Sequence, residues 1–326
     1  MKKINLLVTG GCGFIGSNFI NYIFPKGKYK IFNVDAMYYC ANENNIEESV
    51  QNSKDYKLIT VNTRCQHIID YVLNNYNIEY VIHFAAQSHV QASFDDSLQY
   101  TLDNILGTHT LLESCRKYGK IQKFIHVSTD EVYGESTMNE KMKTEQSVLC
   151  PTNPYAATKA GAELIAQSYN HSYKFPVIIS RGNNVYGPHQ YPEKIIPKFI
   201  HQLLRNEKVT IQGNGETVRA FLHAFDTARA FESILENGSI GEIYNIGSVE
   251  EISVIKLAEK LIEKIKNTKN YKEWIEYIED RPFNDQRYYI SCEKLQELGW
   301  SQTILLEEGI HSLIEHEKEV FDKKLS

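Results

Sequence analysis

The chain has 326 residues, of which 42% are hydrophobic and 23% are charged, a composition typical of a globular protein with a large core. Its net charge of −6, without any basic block, argues against nucleic acid or an acidic membrane surface as a partner. Six scattered cysteines without a C-x-x-C pair indicate free thiols, and no apolar run reaches the roughly 18 residues of a membrane span. We therefore expect a cytoplasmic protein.

The first half of the chain alternates β-rich runs with helical patterns. Strands are predicted at residues 4–9, 29–34, 56–61, 80–83, 123–127 and 176–180. Helices are predicted at residues 17–23, 64–75, 97–117 and 154–172. This alternation predicts a doubly wound parallel sheet, in which ligands bind at the carboxyl ends of the strands.

A glycine-rich turn follows the first predicted strand, with Gly10, Gly13 and Gly16 directly ahead of a helix. Such a turn lets backbone N–H groups approach a pyrophosphate, whose charge then lies at a helix N-terminus. Asp35 follows at the end of the second predicted strand. A carboxylate at that place accepts hydrogen bonds from ribose hydroxyls and repels a 2′-phosphate, so the pattern predicts NAD rather than NADP as the cofactor.

After about residue 185 the alternation ends, and Gly, Pro and Asn interrupt the chain. One amphipathic helix is predicted there, and its apolar face contains Ile255, Ala258, Leu261, Ile262 and Ile265. We interpret that face as core packing. The overall prediction is an α/β protein with a Rossmann-type domain over residues 1–184. A smaller, substrate-binding α/β domain is predicted over residues 185–326, with some of its segments free to return to the first domain.

Tyr155 and Lys159 lie four residues apart at the start of a predicted helix and therefore share one of its faces. A lysine cation beside a tyrosine can lower the pKa of the phenol and make it a usable base. Tyr22 and Lys26 have the same spacing, but Pro25 separates them at the end of the first helix. We interpret this second pair as surface residues.

Thr129, Asp130 and Glu131 directly follow a predicted apolar strand. In a regular strand the two carboxylates would point to opposite faces, whereas a turn at the strand's carboxyl end brings both toward a ligand. Two carboxylates in one pocket tend to separate in pKa, which supplies an acid and a base. An isolated Asp-Glu pair is more often an exposed loop, but the glycine turn and the Tyr155/Lys159 pair favour the catalytic interpretation.

These motifs resemble a known family. Thr9-Gly10-Gly11-x-Gly13-Phe14-Ile15-Gly16, together with Tyr155-x-x-x-Lys159, resembles the extended short-chain dehydrogenase/reductases. Within them, Ser128-Thr129-Asp130-Glu131-Val132-Tyr133-Gly134 resembles the nucleotide-sugar 4,6-dehydratases. The resemblance covers nearly the whole chain. Segments 181–188, 192–199 and 280–288 are more similar to the UDP-glucose 4,6-dehydratase domain of plant rhamnose synthases than to bacterial dTDP-glucose 4,6-dehydratases.

The resemblance implies a tightly held NAD and a catalytic set consisting of Thr129, Asp130, Glu131, Tyr155 and Lys159. Tyr155, assisted by Lys159 and Thr129, takes the proton of the hexose 4-hydroxyl while C4 is oxidised. Glu131 then removes the C5 proton, and a protonated Asp130 donates to the departing 6-hydroxyl. After water leaves, the hydride returns to C6, and the product is a 4-keto-6-deoxy sugar.

The resemblance also assigns binding residues and an assembly. The cofactor is expected to contact Gly10, Gly13, Phe14, Ile15, Gly16, Asp35, Asn62, Ala85, Ala86, Tyr155 and Lys159. The UDP-hexose is expected to contact Ser88, Gln91, Asn184, Lys194, Ile195, Arg219, Arg281 and Asn284. The two arginines have planar forks that suit diphosphate oxygens. A homodimer built from the helices near 97–117 and 154–172 is implied, and no metal site is predicted.

Two residues depart from the family pattern. Asn62 replaces an aspartate near the adenine, and its carbonyl can still accept from an amino group. Gln91 replaces an aspartate near the hexose, where an amide suits a 2-acetamido group, although a neutral change is the favoured explanation. UDP-N-acetylglucosamine therefore remains an alternative to UDP-glucose, as does dTDP-glucose. A nucleotide-sugar 4-epimerase and a non-catalytic NAD-binding regulator are more distant alternatives.

Overall fold

A computed structural model describes residues 2–280 and 283–325, with side chains described as far as residue 322. The strands, in chain order, are β1 (Ile4–Thr9), β2 (Tyr29–Asp35), β3 (Tyr56–Thr60), β4 (Tyr80–His83), β5 (Lys123–Thr129), β6 (Val177–Gly182), β7 (Asn184–Tyr186), β8 (Val209–Gln212), β9 (Val218–His223), β10 (Ile243–Ile246), β11 (Glu251–Ser253) and β12 (Ile275–Ile278). Each of the six strands predicted in the first half is present, with bounds within two residues of the prediction.

The helices of the described chain alternate with these strands. In chain order they are α1 (Phe14–Ile23), α2 (Glu48–Gln51), α3 (Gln66–Asn75), α4 (Val90–Asp95), α5 (Ser97–Tyr100), α6 (Gly107–Tyr118), α7 (Pro154–Tyr173), α8 (Ile195–Leu204), α9 (Ala224–Asn237), α10 (Val254–Lys266), α11 (Glu293–Gln296) and α12 (Leu306–Leu325). A π-helical segment, Thr101–Leu106, joins α5 to α6, so the helix predicted near 97–117 is continuous in outline.

The main sheet of the described chain has seven parallel strands in the order β10-β6-β5-β4-β1-β2-β3. Its central strands are rich in Leu, Ile and Val because both faces are covered by helices. The α1 and α9 side contains Phe19, Ile20 and Phe231, and the opposite side contains Leu111 and Phe124. The doubly wound α/β prediction is confirmed.

The second half of the chain contains more helix than predicted. Besides α10, which was predicted from its apolar face, the structure has α8, α9 and α12. The prediction of a single amphipathic helix was wrong because Gly, Pro and Asn were taken as interruptions. Pro197, for example, lies in the first turn of α8, where a missing N–H costs no hydrogen bond.

Part of the second half returns to the main sheet. Strand β10 pairs with β6, with Asn245 opposite Arg181 and Ile246 opposite Gly182. The remaining strands form a three-stranded sheet, β11-β9-β7, and a two-stranded sheet, β12-β8. A separate apolar core fills the space between them and α8, α10 and α12. Over the described ranges, no helix combines the length and the apolar character needed to cross a membrane.

Candidate active site

The glycine turn between β1 and α1 is closely packed. Gly10 has a φ of +73°, and a Cβ added there would lie 2.6 Å from the Ala85 nitrogen. A Cβ on Gly16 would lie 2.3 Å from the Gly10 carbonyl oxygen, so only glycine permits this approach. Gly13 precedes the first residue of α1, and no side chain caps that helix end. The first backbone N–H groups of α1 are therefore available to an anion.

A cleft begins at this turn and runs along the carboxyl ends of the parallel strands. It is lined by every residue predicted to contact the cofactor: Gly10, Gly13, Phe14, Ile15, Gly16, Asp35, Asn62, Ala85, Ala86, Tyr155 and Lys159. Ser88 and Lys194, which were predicted to contact the sugar nucleotide, line it too. The cleft thus combines an anion cradle, a carboxylate and apolar walls, which fits a dinucleotide.

Asp35 is held in one orientation at the end of β2. Its Oδ2 accepts from the Cys12 nitrogen at 2.9 Å, and its Oδ1 accepts from the Met37 nitrogen at 2.8 Å. Burial raises the pKa of this carboxyl, and the two backbone N–H groups oppose the rise. Asn62 lies nearby, where its Nδ2 donates to the Tyr38 hydroxyl at 2.8 Å. The assignment of both residues to the cofactor stays a prediction.

Helix α7 presents Tyr155 and Lys159 to the cleft. The side chain of Asn153 caps the helix by accepting from the Ala156 nitrogen at 2.8 Å. Lys159 Nζ donates to the Val127 carbonyl oxygen at 2.6 Å, and burial lowers the pKa of this lysine to about 8. Burial and the nearby Glu131 raise the pKa of Tyr155. Any lowering of the Tyr155 pKa by Lys159 therefore stays a prediction.

Asp130 and Glu131 follow β5 at the point where the chain leaves the sheet. The backbone turns into a short 3₁₀ helix, Asp130–Tyr133, as the sequence predicted for the strand's carboxyl end. Thr129 begins this turn by accepting from the Glu131 nitrogen at 3.3 Å. Helix α7 packs against this short helix, and Asn153, which caps α7 two residues before Tyr155, donates to Glu131 Oε2 at 3.1 Å. The predicted acid, base and tyrosine therefore share one site.

The surroundings of the two carboxylates differ. Burial, followed by the charge of Glu131, raises the pKa of Asp130 to about 7, although Asn183 Nδ2 donates to its Oδ2 at 2.5 Å. Burial also raises the pKa of Glu131, but Asn153 Nδ2 donates to its Oε2 at 3.1 Å, and Arg219 and Lys194 oppose the rise. Asp130 is thus predisposed to hold a proton near neutral pH.

The residues predicted to bind the sugar nucleotide are more scattered. Lys194 Nζ donates to the Ser88 carbonyl oxygen at 2.9 Å, which joins two predicted contacts. Arg219 is buried and donates to Asn284 Oδ1 at 3.2 Å, so two further predicted residues meet. Ile195 is the first residue of α8.

Several of the predicted residues are not among those that line the cleft, namely Gln91, Asn184, Ile195, Arg219 and Asn284 of the sugar-nucleotide contacts and Thr129, Asp130 and Glu131 of the catalytic set. Asn184 is exposed at the start of β7, and Gln91 lies on α4, and neither is among the residues that line it. The Gln91 Oε1 atom is buried and has no hydrogen-bond partner within the described ranges. Arg281 lies outside the described residues.

Comparisons with known proteins agree with this geometry. Residues 7–313 match the family model described as GDP-mannose 4,6 dehydratase. The human protein named dTDP-D-glucose 4,6-dehydratase is 46% identical, over 97% of this chain and 90% of its own length. The chain belongs to the NAD-dependent nucleotide-sugar 4,6-dehydratases. The family and the cofactor predicted from the sequence are confirmed.

Two further relatives of the dehydratase bear on the cofactor and on chain length. The solved structure of DesIV, a dTDP-glucose 4,6-dehydratase from Streptomyces venezuelae with NAD and TYD bound, has a TM-score of 0.92 and 33% identity over 97% of each chain. An Arabidopsis thaliana trifunctional UDP-glucose 4,6-dehydratase/3,5-epimerase/reductase is 44% identical over 96% of this chain but only 47% of its own length. The chain therefore spans about half the length of the plant relatives it matches.

The structure adds residues that the sequence did not single out. Asn153 and Asn183 each donate to one of the two carboxylates of the dehydratase. Asp285 and Tyr288 approach Glu131 from a distant part of the chain. The sequence indicates these two contacts only weakly. Asn153 precedes a proline at a predicted helix start, and Asn183 follows a predicted strand at the same edge of the sheet as Asp130.

Tyr22 and Lys26 form an ion-paired cluster away from the cleft. Lys26 Nζ lies 2.5 Å from Glu232 Oε1, and the Tyr22 hydroxyl donates to Glu232 Oε2 at 2.5 Å. This cluster ties α1 to α9; Lys26 is exposed, as the interpretation of the pair as surface residues predicted, whereas Tyr22 is half-buried.

Gly16→Ala is expected to abolish NAD retention, because its Cβ would lie 2.3 Å from the Gly10 carbonyl oxygen and would open the turn. The measurement is the NAD released from purified protein on denaturation. Gly27→Ala is the control for a glycine substitution outside the turn, since no atom lies within 4 Å of the Cβ added there. Retention of NAD by Gly16→Ala at the level of the Gly27→Ala variant would contradict the assignment.

Proposed function

We propose that the protein converts UDP-glucose into UDP-4-keto-6-deoxyglucose. The observation that carries this proposal is the packing of the Asp130–Tyr133 turn against α7, where Asn153 caps the helix that holds Tyr155 and donates to Glu131, together with the raised pKa of Asp130. Elimination of water from a hexose needs an acid for the leaving hydroxyl and a base for the neighbouring carbon. A 4-epimerase needs neither group, because it only removes and returns hydride at C4.

The bound NAD supplies a hydride acceptor for C4 and later the hydride for C6. Tyr155, with the Thr129 hydroxyl and Lys159 beside it, takes the proton of the 4-hydroxyl. The resulting ketone acidifies C5, and Glu131 removes the C5 proton. Asp130 gives its proton to the 6-hydroxyl, the C6–O bond breaks, and water departs. Once hydride has added to C6, Glu131 returns its proton to C5, and the proton that Tyr155 took balances the one that Asp130 gave up.

The choice of UDP-glucose rests on similarity. Three segments resemble the plant UDP-glucose enzymes, and the plant relative named for UDP-glucose is 44% identical. The human relative named for dTDP-D-glucose is 46% identical, so dTDP-glucose is the second candidate. UDP-N-acetylglucosamine is the third, because Gln91 offers an unpaired amide oxygen within the described ranges.

The diphosphate of such a substrate needs cations, and we propose Arg219 and Lys194 for this role. In support, Lys194 lines the cleft, Arg219 is buried and donates to Asn284, and both charges oppose the rise in the pKa of Glu131. Asn284, the hydrogen-bond partner of Arg219, together with Ile195 and Asn184, is proposed to complete the contacts to the nucleotide.

Incubation with UDP-glucose, UDP-N-acetylglucosamine and dTDP-glucose in parallel tests the reaction and the substrate. We expect the UDP-glucose product to be lighter by one water in its mass spectrum, whereas a 4-epimerase would leave the mass unchanged. Glu131→Gln should abolish the loss of water while C4 oxidation, seen as NADH absorbance, still begins. Water loss at the full rate in Glu131→Gln would show that another group is the base.

The proposed acid predicts a pH dependence. Asp130 donates only while protonated, and because its pKa is raised to about 7, kcat should fall as the pH rises through that range. Asp130→Asn should lower kcat by roughly 100-fold or more and remove this alkaline limb. Asp55→Asn, at a surface carboxyl paired with Lys3, should leave the profile unchanged. An alkaline limb that persists in Asp130→Asn would exclude Asp130 as its source.

We also propose a homodimer. Exposed leucines follow one another along the helical run 97–106 and on the adjoining α7: Leu98, Leu102, Leu106 and Leu164. The two elements pack where a Cβ on Gly161 would lie 2.9 Å from Ile105. Such an apolar face on adjoining helices suits a second copy.

Leu98→Glu is expected to shift the protein toward the monomer in sedimentation velocity. Leu305→Glu, which alters a similarly exposed leucine ahead of α12, should not. Equal sedimentation of the two variants would argue against this interface.

A further inference from the structure

A second carboxylate and a phenol lie behind Glu131. The Tyr288 hydroxyl is 3.5 Å from Glu131 Oε2 and 2.5 Å from Asp285 Oδ2. The other oxygen of Asp285 accepts from the Thr152 hydroxyl at 2.7 Å. Asp285 and Tyr288 are 4% and 6% exposed, so these contacts form with little competition from water.

The position of the Tyr288 proton follows from these distances. A phenol has one hydrogen to donate. The Tyr288 hydroxyl donates it to Asp285, which is nearer than Glu131 and accepts a second hydrogen bond from Thr152. Burial and the charges of Glu131 and Asp285 raise the pKa of Tyr288, so the phenol keeps this hydrogen. The lone pairs of its oxygen are then left for Glu131.

Asn153 contacts the same Glu131 oxygen, but as a hydrogen-bond donor rather than as an acceptor. Its own Oδ1 is committed to the Ala156 nitrogen at the start of α7, so its Nδ2 must point at Glu131 Oε2. This group can only donate, which favours the ionised form of Glu131. Glu131 Oε2 therefore has a donor for its ionised state and an acceptor for its protonated state.

We propose that Asp285 and Tyr288 are positioning residues for the removal of the C5 proton. Asp285 fixes the Tyr288 hydroxyl so that its oxygen accepts from Glu131 once Glu131 has taken the proton, and the Asp285 charge strengthens Glu131 as a base. No net proton is lost in this step, because the proton remains on Glu131 and the Tyr288 proton remains shared with Asp285. The inference rests on the proposed function.

Other charged groups also face Glu131 and must be weighed. Asp130 neighbours it in the chain, Tyr155 faces it from α7, and Arg219 and Lys194 lower its pKa. Asp285 raises the pKa of Glu131. Loss of the Asp285 charge should therefore move the acid limb of kcat/KM to lower pH, because Glu131 acts as a base only when ionised.

Three variants separate these effects. Tyr288→Phe removes the waiting acceptor, and kcat should fall by roughly 10-fold to 100-fold, a fraction of what a complete general base supplies. Asp285→Asn keeps an acceptor for the Tyr288 hydroxyl but removes the charge, so the acid limb should shift while kcat falls less. Tyr169→Phe is the matched control, since Tyr169 is also 6% exposed and donates to a carboxylate, Glu113, at 2.8 Å.

The readout is the pH profile of kcat/KM together with the kinetic isotope effect of substrate deuterated at C5. We expect the isotope effect to rise in Tyr288→Phe and the control to match the wild type in both measurements. A Tyr288→Phe variant that folds, retains NAD and shows unchanged pH profile and isotope effect would overturn the proposal, even if its melting temperature fell. Absence of a dehydrated product from the wild type would instead contradict the proposed function.

Discussion

The active site depends on holding two adjacent carboxylates away from bulk water, Asp130 buried at 3% exposure and Glu131 half-buried. An unpaired charge there would cost several kcal/mol, on the order of the stability of a whole domain. Each carboxylate is therefore met by the amide of one asparagine, Asn183 for Asp130 and Asn153 for Glu131. An amide stabilises a carboxylate only if its NH₂ faces it, so the orientation of the two asparagines is the constraint.

Backbone groups fix both orientations. The Ala156 nitrogen, at the start of α7, donates a hydrogen bond to the side-chain oxygen of Asn153. The Ser248 nitrogen donates a hydrogen bond to the side-chain oxygen of Asn183 at 3.2 Å. This second contact needs a glycine beside it, because a Cβ on Gly247 would lie 2.0 Å from the Asn183 oxygen. Both amides are therefore set by main-chain geometry rather than by other mobile side chains.

The sheet register delivers these groups to one edge. Thr129 pairs with Gly182, and Ile246 pairs with the same residue from the other side. The residues that follow each strand, namely Asp130, Asn183 and Ser248, consequently meet just beyond the carboxyl ends. The return of β10 to the main sheet is thus part of how the site is assembled, and it brings the second half of the chain to Asp130.

The features that could be predicted from the sequence are those that depend on residues close to one another in the chain. The glycine turn, Asp35, the Thr129-Asp130-Glu131 turn and the Tyr155/Lys159 helix face depend on neighbouring residues, and the structure has them at the predicted strand ends and helix starts. The orientations of Asn153 and Asn183 depend on tertiary contacts, and Tyr288 reaches Glu131 from 157 positions away. The helices α8, α9 and α12 were missed because Gly and Pro next to helix ends look the same as Gly and Pro in loops.

The two halves of the chain contribute different groups to the candidate site. The first half contains the glycine turn, Tyr155 and Lys159, the residues to which the proposed function assigns the oxidation at C4. The second half adds to the control of protonation at both carboxylates, through Ser248, which orients Asn183 at Asp130, and through Asp285 and Tyr288 at Glu131. Elimination requires opposite protonation states in two adjacent side chains, and like charges alone would not decide which carboxyl keeps the proton. The asymmetry therefore depends on Asn153 and Asn183 of the first half and on Ser248, Asp285 and Tyr288 of the second, so the protonation of the two carboxylates is set where the two halves meet.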